Sequence, residues 1–247
     1  MTMFLKFLLV VMIVAPVLAS RNPVNFYKLS LQWPRSTCSD GRVACPQHLP
    51  PDYNTMFTIH GIWPQDANDK SIDPYNGLSH PCTSNPTPTS NIPKILKPMY
   101  SDLNTLWPDL KDPLNPTANR IFWMKEWDRH GKCSDYPQNP LEYFDSALRL
   151  RQNLLVPGES HFGLQPGMQY SVKQVEQMVK NVVNGYPEIA CNRNIHTGAV
   201  QLWEIRLCYD RPTPHQLIQN IRNCPRSMLA NNGIARGLCA NTMITLP

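Results

Sequence analysis

The sequence predicts an α+β protein. Short segments carry the two-residue alternation of strands, other segments carry helical spacing, and no regular βαβ alternation or glycine-rich phosphate loop signals a doubly wound sheet. A chain of 247 residues fits one domain, or at most two small ones, at about 100–200 residues each. With 42% hydrophobic and 17% charged residues it can bury a core, which excludes a disordered chain. Proline occurs 25 times and glycine 11 times, so stiff loops are expected rather than flexible linkers. No internal repeat or linker is found, and the Pro/Ser/Thr stretch 81–93 reads as a long surface loop inside the domain.

In chain order, residues 1–19 come first. One early cation at Lys6, an apolar run over 7–14 and the small-residue end Val17-Leu18-Ala19 read as a secretory signal peptide, leaving a single domain over 20–247. The run is shorter than the roughly 20 residues a membrane span needs, so a soluble, secreted product with no membrane partner is expected. In that oxidising route the eight cysteines are expected to pair. Loss of Lys6 with the leader leaves 22 basic against 18 acidic residues, a net charge of +4. So mild an excess favours a polyanionic partner without naming one.

Segment 26–34 alternates, with Tyr27, Leu29, Leu31 and Trp33 on one face and Lys28, Ser30 and Gln32 on the other. Segment 56–64 places Phe57, Ile59 and Trp63 on one face, with Thr58 and His60 opposite. A polar strip over an apolar underside follows. Helices are predicted at about 92–107, 117–130, 140–154 and 171–183, the last opened by a Ser171/Gln174 capping box. A further strand is predicted over 199–209, with Trp203, Ile205 and Leu207 on one face.

The densest chemical cluster is Phe122-Trp123-Met124-Lys125-Glu126-Trp127-Asp128-Arg129-His130-Gly131-Lys132-Cys133. On a regular helix Phe122, Glu126 and His130 share a face with Arg129 beside them. Arg129 could then fork onto phosphate oxygens, while Glu126 held the His130 tautomer and raised its pKa. Alone, such a helix is more often an ordinary amphipathic one. The second segment, Phe57-Thr58-Ile59-His60-Gly61-Ile62-Trp63-Pro64, puts a histidine on the polar side of a strand. The pair alters the balance, because cleavage of a phosphodiester at a ribose 2′-hydroxyl needs one imidazole to take a proton, another to give one, and a cation for the phosphorane.

Taken together, Thr58-Ile59-His60-Gly61-Ile62-Trp63-Pro64 and Phe122-Trp123 through Glu126-Trp127, then Arg129-His130-Gly131 and Cys133, resemble the two active-site segments of the ribonuclease T2 family. Leu31-Gln32-Trp33-Pro34, Cys191-Asn192 and Leu207-Cys208-Tyr209-Asp210 extend the resemblance over nearly the whole mature chain, nearest to plant S-ribonucleases of gametophytic self-incompatibility, with S-like ribonucleases as neighbours. The resemblance implies a disulfide-stabilised α+β fold with a central antiparallel sheet and helices mainly on one side. It implies an endoribonuclease forming 2′,3′-cyclic phosphates, with His130 as general base, His60 as general acid, and Glu126 and Arg129 stabilising the transition state. Arg129 replaces the family's usual lysine, and Lys125 stands where many members carry a further phosphate-binding histidine. Gln32, Trp63 and Phe122 fall where the family lines its phosphate and base pockets, although Trp63 reads equally as a core tryptophan. Stacking on an aromatic ring implies single-stranded RNA as partner with weak base preference, and DNA is excluded for want of the 2′-hydroxyl.

The resemblance also implies the disulfides Cys38–Cys45 and Cys82–Cys133. The second would hold the two histidine segments in register and close a loop worth ~4 kcal/mol of chain entropy. For the last four cysteines the nested pairs Cys191–Cys239 and Cys208–Cys224 are preferred. No C-x2-C or H-x3-H spacing is present, so no metal and no cofactor are expected. No N-x-Ser/Thr acceptor is present either, a departure from the usual S-ribonuclease pattern. Without a coiled coil or large apolar stripe a monomer is expected, and surface loops including 66–80 could be read by a pollen recognition protein. The competing class is a non-catalytic storage or recognition protein, whose signature would be loss of His60, Glu126 or His130.

Overall fold

The computed structural model describes residues 23–77, 82–83, 85–154, 160–230, 237–240 and 243–247, so the leader-like segment 1–19 lies outside the described residues. Strands are β1 (Phe26–Gln32), β2 (Thr58–Gln65), β3 (Gln169–Ser171), β4 (Glu188–Arg193), β5 (Val200–Asp210), β6 (Ile221–Arg222) and β7 (Met243–Thr245). Helices are α1 (Pro34–Cys38), α2 (Ile92–Ile95), α3 (Tyr100–Leu106), α4 (Pro116–Glu126), α5 (Pro140–Gln152) and α6 (Val172–Val183). β1 runs antiparallel between β2 and β5. β4 and β6 join β5 antiparallel, β3 joins β7 antiparallel, and β7 meets β5 in the parallel sense at Gln201 and Thr245. The result is a mixed α+β fold around a seven-stranded sheet.

Local chemistry explains most of the elements. The helix expected over 92–107 is broken into α2, a 3₁₀ turn at Lys97–Met99 and α3, because Pro98 has no amide hydrogen and crowds the preceding turn. At the start of α4 the Asn115 side chain accepts from the amides of Thr117 and Ala118. α4 does not continue to His130 as a regular helix; after Glu126 the chain widens into a π-helical turn, Trp127–Gly131. α6 opens with the Ser171/Gln174 capping box and buries Val172, Val175 and Val179.

The core joins Leu29, Leu31, Ile59, Ile62, Ile205 and Leu207 of the sheet to Trp107, Trp123, Trp127, Tyr143 and Phe144. Side chains from the helical layer also grip β2 by its backbone. Arg151 donates to the Phe57 carbonyl, Trp107 to the His60 carbonyl and Tyr143 to the Ile62 carbonyl, at 2.8, 2.9 and 2.6 Å. These bonds satisfy buried polar groups and fix β2 on either side of His60.

Two bulges change which side chains face the core. Between Ser30 and Leu31 the β1/β2 register skips: Ser30 pairs with Gly61 and Leu31 with Ile59, which leaves His60 as the extra residue. That insertion reverses the alternation: Ile62 enters the core, and Trp63 turns to the face of His60 instead of joining Phe57 and Ile59. A matching skip opposite Ala190 and Cys191 leaves Trp203 as the extra residue of β5. Leu202 takes the core position expected for Trp203, whose ring lies against His60. The polar face of β1 is not a solvated strip either. Lys28, Ser30 and Gln32 are all buried, because β1 is a central strand and its polar side is covered by charged partners.

The structure bonds Cys38–Cys45, Cys82–Cys133, Cys191–Cys239 and Cys208–Cys224. The Cys82–Cys133 bridge joins the segment following β2 to the residues following the π-helical turn.

Candidate active site

The bulge in β2 presents the His60 ring with 31% of its side chain exposed. Its Nδ1 lies 2.6 Å from Glu204 Oε1, a carboxylate with no exposed surface. Burial disfavours the charged ring, but the charge and hydrogen bond of Glu204, helped by Glu126, outweigh it and raise the pKa of His60. Burial would likewise raise Glu204, but His60 and Arg206 overcome it and hold this carboxyl at about 2.

Trp63 contacts both histidines. Its ring centre is 5.2 Å from that of His60, nearly edge-on, and 5.7 Å from that of His130. Its Nε1 donates to Glu126 Oε2 at 3.4 Å. Glu126 ends α4 and is nearly sealed from solvent, and burial pushes its carboxyl up to about 7 against the pull of His60, Trp63 and Arg129. Gly61 is dictated by this packing, since a Cβ there would fall 2.2 Å from Trp63 Nε1 and 2.4 Å from Glu126 Oε2.

His130 sits in the π-helical turn in very different surroundings. Its Nδ1 is buried without a hydrogen-bond partner among the described residues, and burial together with the positive charges of Arg129 and His60 pushes its pKa down to about 3. The expected Glu126–His130 pair is therefore absent. The wider turn removes the i,i+4 relation of a regular helix, Glu126 faces Trp63 and His60, and His130 loses rather than gains proton affinity.

A cleft of about 540 Å³ opens in front of His60. Its walls include Gln32, His60, Phe122, Lys125, Glu126 and Arg129, with Trp63 and His130 beside it rather than in its lining. Gln32 is buried, and its Oε1 accepts from Thr37 Oγ1 at 3.3 Å. Phe122 is half-buried, while Lys125 and Arg129 are exposed and can reach an anion. Among the described residues no three His, Cys, Asp or Glu side chains converge as a metal site, and no helix is long and apolar enough to cross a membrane.

Sequence reasoning missed Glu204, Arg206 and the role of Trp203. The signal was present in Leu202-Trp203-Glu204-Ile205-Arg206, where two opposite charges sit two apart in an otherwise apolar strand. Such charges share one face and must find partners there.

Two imidazoles of opposite proton affinity, a carboxyl group pushed up to about 7 and exposed cations thus stand in or beside one cleft. The chain belongs to the ribonuclease T2 family, whose model matches residues 24–224, and it is an endoribonuclease. It is 30% identical to ribonuclease S-7 of Nicotiana alata over 205 residues, covering 81% of this chain and 82% of that one. It is equally 30% identical to ribonuclease 3 of Arabidopsis thaliana over 204 residues, covering 81% and 83%. Among solved structures it resembles RNase NT in complex with 5′-AMP, with a TM-score of 0.64, 25% identity, and coverage of 91% of this chain and 98% of that one. The seed ribonuclease MC1 of bitter gourd is similar at a TM-score of 0.59 and 26% identity, covering 82% and 95%.

Proposed function

We propose that this chain is a secreted endoribonuclease that cleaves single-stranded RNA by metal-free transesterification. The observation that carries the reading is the pair of imidazoles in contact with Trp63, one bound to a buried carboxylate and the other without a partner at Nδ1 among the described residues. Neutral His130 takes the proton from the 2′-hydroxyl, and the 2′-oxygen attacks phosphorus to form a 2′,3′-cyclic phosphate. Protonated His60 gives its proton to the departing 5′-oxygen. The base leaves this step charged and the acid neutral, so water can open the cyclic ester to a 3′-phosphate with the roles reversed. Arg129 and Lys125 bring positive charge to the phosphorane, and Glu126, near half-protonation at neutral pH, can donate to one of its oxygens. Phe122 and Gln32, which line the cleft, are read as the groups that stack and hydrogen-bond a base. Nucleotide complexes of RNase NT with 5′-AMP and of a mutant of RNase MC1 with 5′-GMP support a nucleotide-binding cleft here.

Secretion is supported by the leader-like residues 1–19 and by the engagement of all eight cysteines in disulfides. Within a plant the reading is a pistil self-incompatibility ribonuclease, acting as a monomer and read by a pollen recognition protein. Equal identity to the Arabidopsis enzyme and the lack of a glycosylation acceptor favour a second reading, an S-like defence or phosphate-scavenging ribonuclease. A time course with RNA and DNA in EDTA tests the activity. RNA should be cut to cyclic and then 3′-phosphate ends while DNA survives. Cleavage that needs added zinc or magnesium, or that spares RNA, overturns it. Transcript confined to the style separates the first role from the second.

A further inference from the structure

His60 ends a buried row of alternating charges that crosses the polar side of the sheet. Glu204 Oε2 accepts from Arg206 Nε and Nη2 at 2.9 and 2.7 Å. Arg206 Nη1 donates to Glu188 Oε1 at 2.7 Å, and Glu188 Oε2 accepts from Lys28 Nζ at 2.5 Å. Lys28 also pairs with Asp69 at 2.6 Å, and Arg226 closes the row on the other oxygen of Asp69 at 2.8 Å. Lys28, Asp69, Glu188 and Glu204 are each under a tenth exposed.

A carboxylate as deeply buried as Glu204 normally takes up a proton, and a buried charge left unpaired is costly. Arg206 holds one Glu204 oxygen with two donors while the other faces His60, so the charge stays on Glu204 and its position is determined from the side away from the cleft. An ionised Glu204 makes His60 Nδ1 the donor, which leaves Nε2 as the nitrogen free to exchange a proton with substrate. Resting on the reading of His60 as the acid, we infer that Glu204 is its positioning residue, and that Arg206, Glu188, Lys28 and Asp69 form the scaffold that keeps Glu204 charged and aimed. Charged or titratable groups face His60 from three elements: Glu204 and Arg206 of β5, Glu126 of α4 and His130 of the π-helical turn. The two carboxylates favour the charged ring and Arg206 opposes it, while the charged ring in turn disfavours protonation of His130.

The test compares wild-type protein with Glu204→Gln in the full secreted chain, using the pH profile of kcat/KM and the NMR titration of the His60 ring. Glutamine keeps the shape and removes the charge. Expected are a fall in kcat of roughly tenfold to a hundredfold, part of the about 10²–10⁴ that an acid–base group supplies, with KM little changed. The basic limb of the profile and the ring titration both move to lower pH. A folded variant with the wild-type limb and titration overturns the inference. Should Glu204→Gln fail to fold, Glu204→Asp keeps the charge and withdraws it by one methylene. A smaller displacement in the same direction then supports the role, and a wild-type limb refutes it. His60→Ala is run alongside: if it cleaves RNA as wild type does, the acid assignment itself is wrong and the role of Glu204 goes with it. If it is inactive while Glu204→Gln keeps its limb, only the role of Glu204 fails.

Discussion

His60 stands at the end of a row of ion-paired charges, most of them buried, whereas His130, which also contacts the Trp63 ring, stands in a π-helical turn with its inner nitrogen unpartnered among the described residues and Arg129 next to it. Burial works against the charged form of both rings. A carboxylate in contact reverses the outcome for His60, and the lack of one leaves His130 neutral far below its ordinary range. On the proposed mechanism the same side chain is acid in one place and base in the other, and the division comes from the surroundings, not from either residue alone.

Breaking either half of the pair has the largest expected effect. His60→Ala or His130→Ala should each lower kcat by about 10²–10⁴ with thermal unfolding close to wild type. Near-normal turnover in either variant would show that its imidazole does not carry the proton. The pH profile sharpens the same contrast. The proposed mechanism needs His130 neutral, hence a pH above about 3, and His60 charged, so activity should fall as pH rises through the raised value of His60. Loss of the Glu126 proton near 7 acts in the same direction.

Next in size is Gly61→Ala. Its methyl group would displace Glu126 and Trp63, which contacts both rings, and an ångström of misplacement at a reacting centre costs roughly 10²-fold. A kcat reduced by that order, with fold retained by circular dichroism, is expected; unchanged kcat would mean that the Trp63–Glu126 contact is incidental.

The smallest effect is on stability. Between pH ~6.5 and about 3 the unfolded chain protonates His130 and the folded chain does not, so this group makes stability fall as pH falls through that window. His60 has the opposite sign: its raised pKa contributes stability that is lost as pH rises through the folded value. Denaturant titrations of His130→Gln between pH 7 and 4 should therefore show a shallower loss than wild type. Equal slopes would mean that His130 is solvated enough to titrate normally.

Much of this was legible in the chain. Val172, Val175 and Val179 behind the Ser171/Gln174 cap, and the alternation of Tyr27, Leu29 and Leu31, follow from local periodicity and are buried as their spacing requires. The ordered segments around His60 and His130 likewise announced a pair of imidazoles. The break at Pro98 is equally written in the sequence, since proline has no amide hydrogen to continue the helix.

What lay beyond sequence was parity and partnership. Whether Trp63 and Trp203 face the core or the cleft depends on one inserted residue in each strand, and such a bulge is set by pairing with a neighbour, which local alternation does not contain. The partner of His60 is 144 residues away in sequence, and the wider turn that separates His130 from Glu126 arises where the chain packs against β2. The amino-acid order alone determined that two imidazoles, a carboxylate and cations are present on elements able to carry them. Only tertiary structure decided which carboxylate serves which ring, because proton affinity follows burial and contact in space, and these are properties of the assembled sheet.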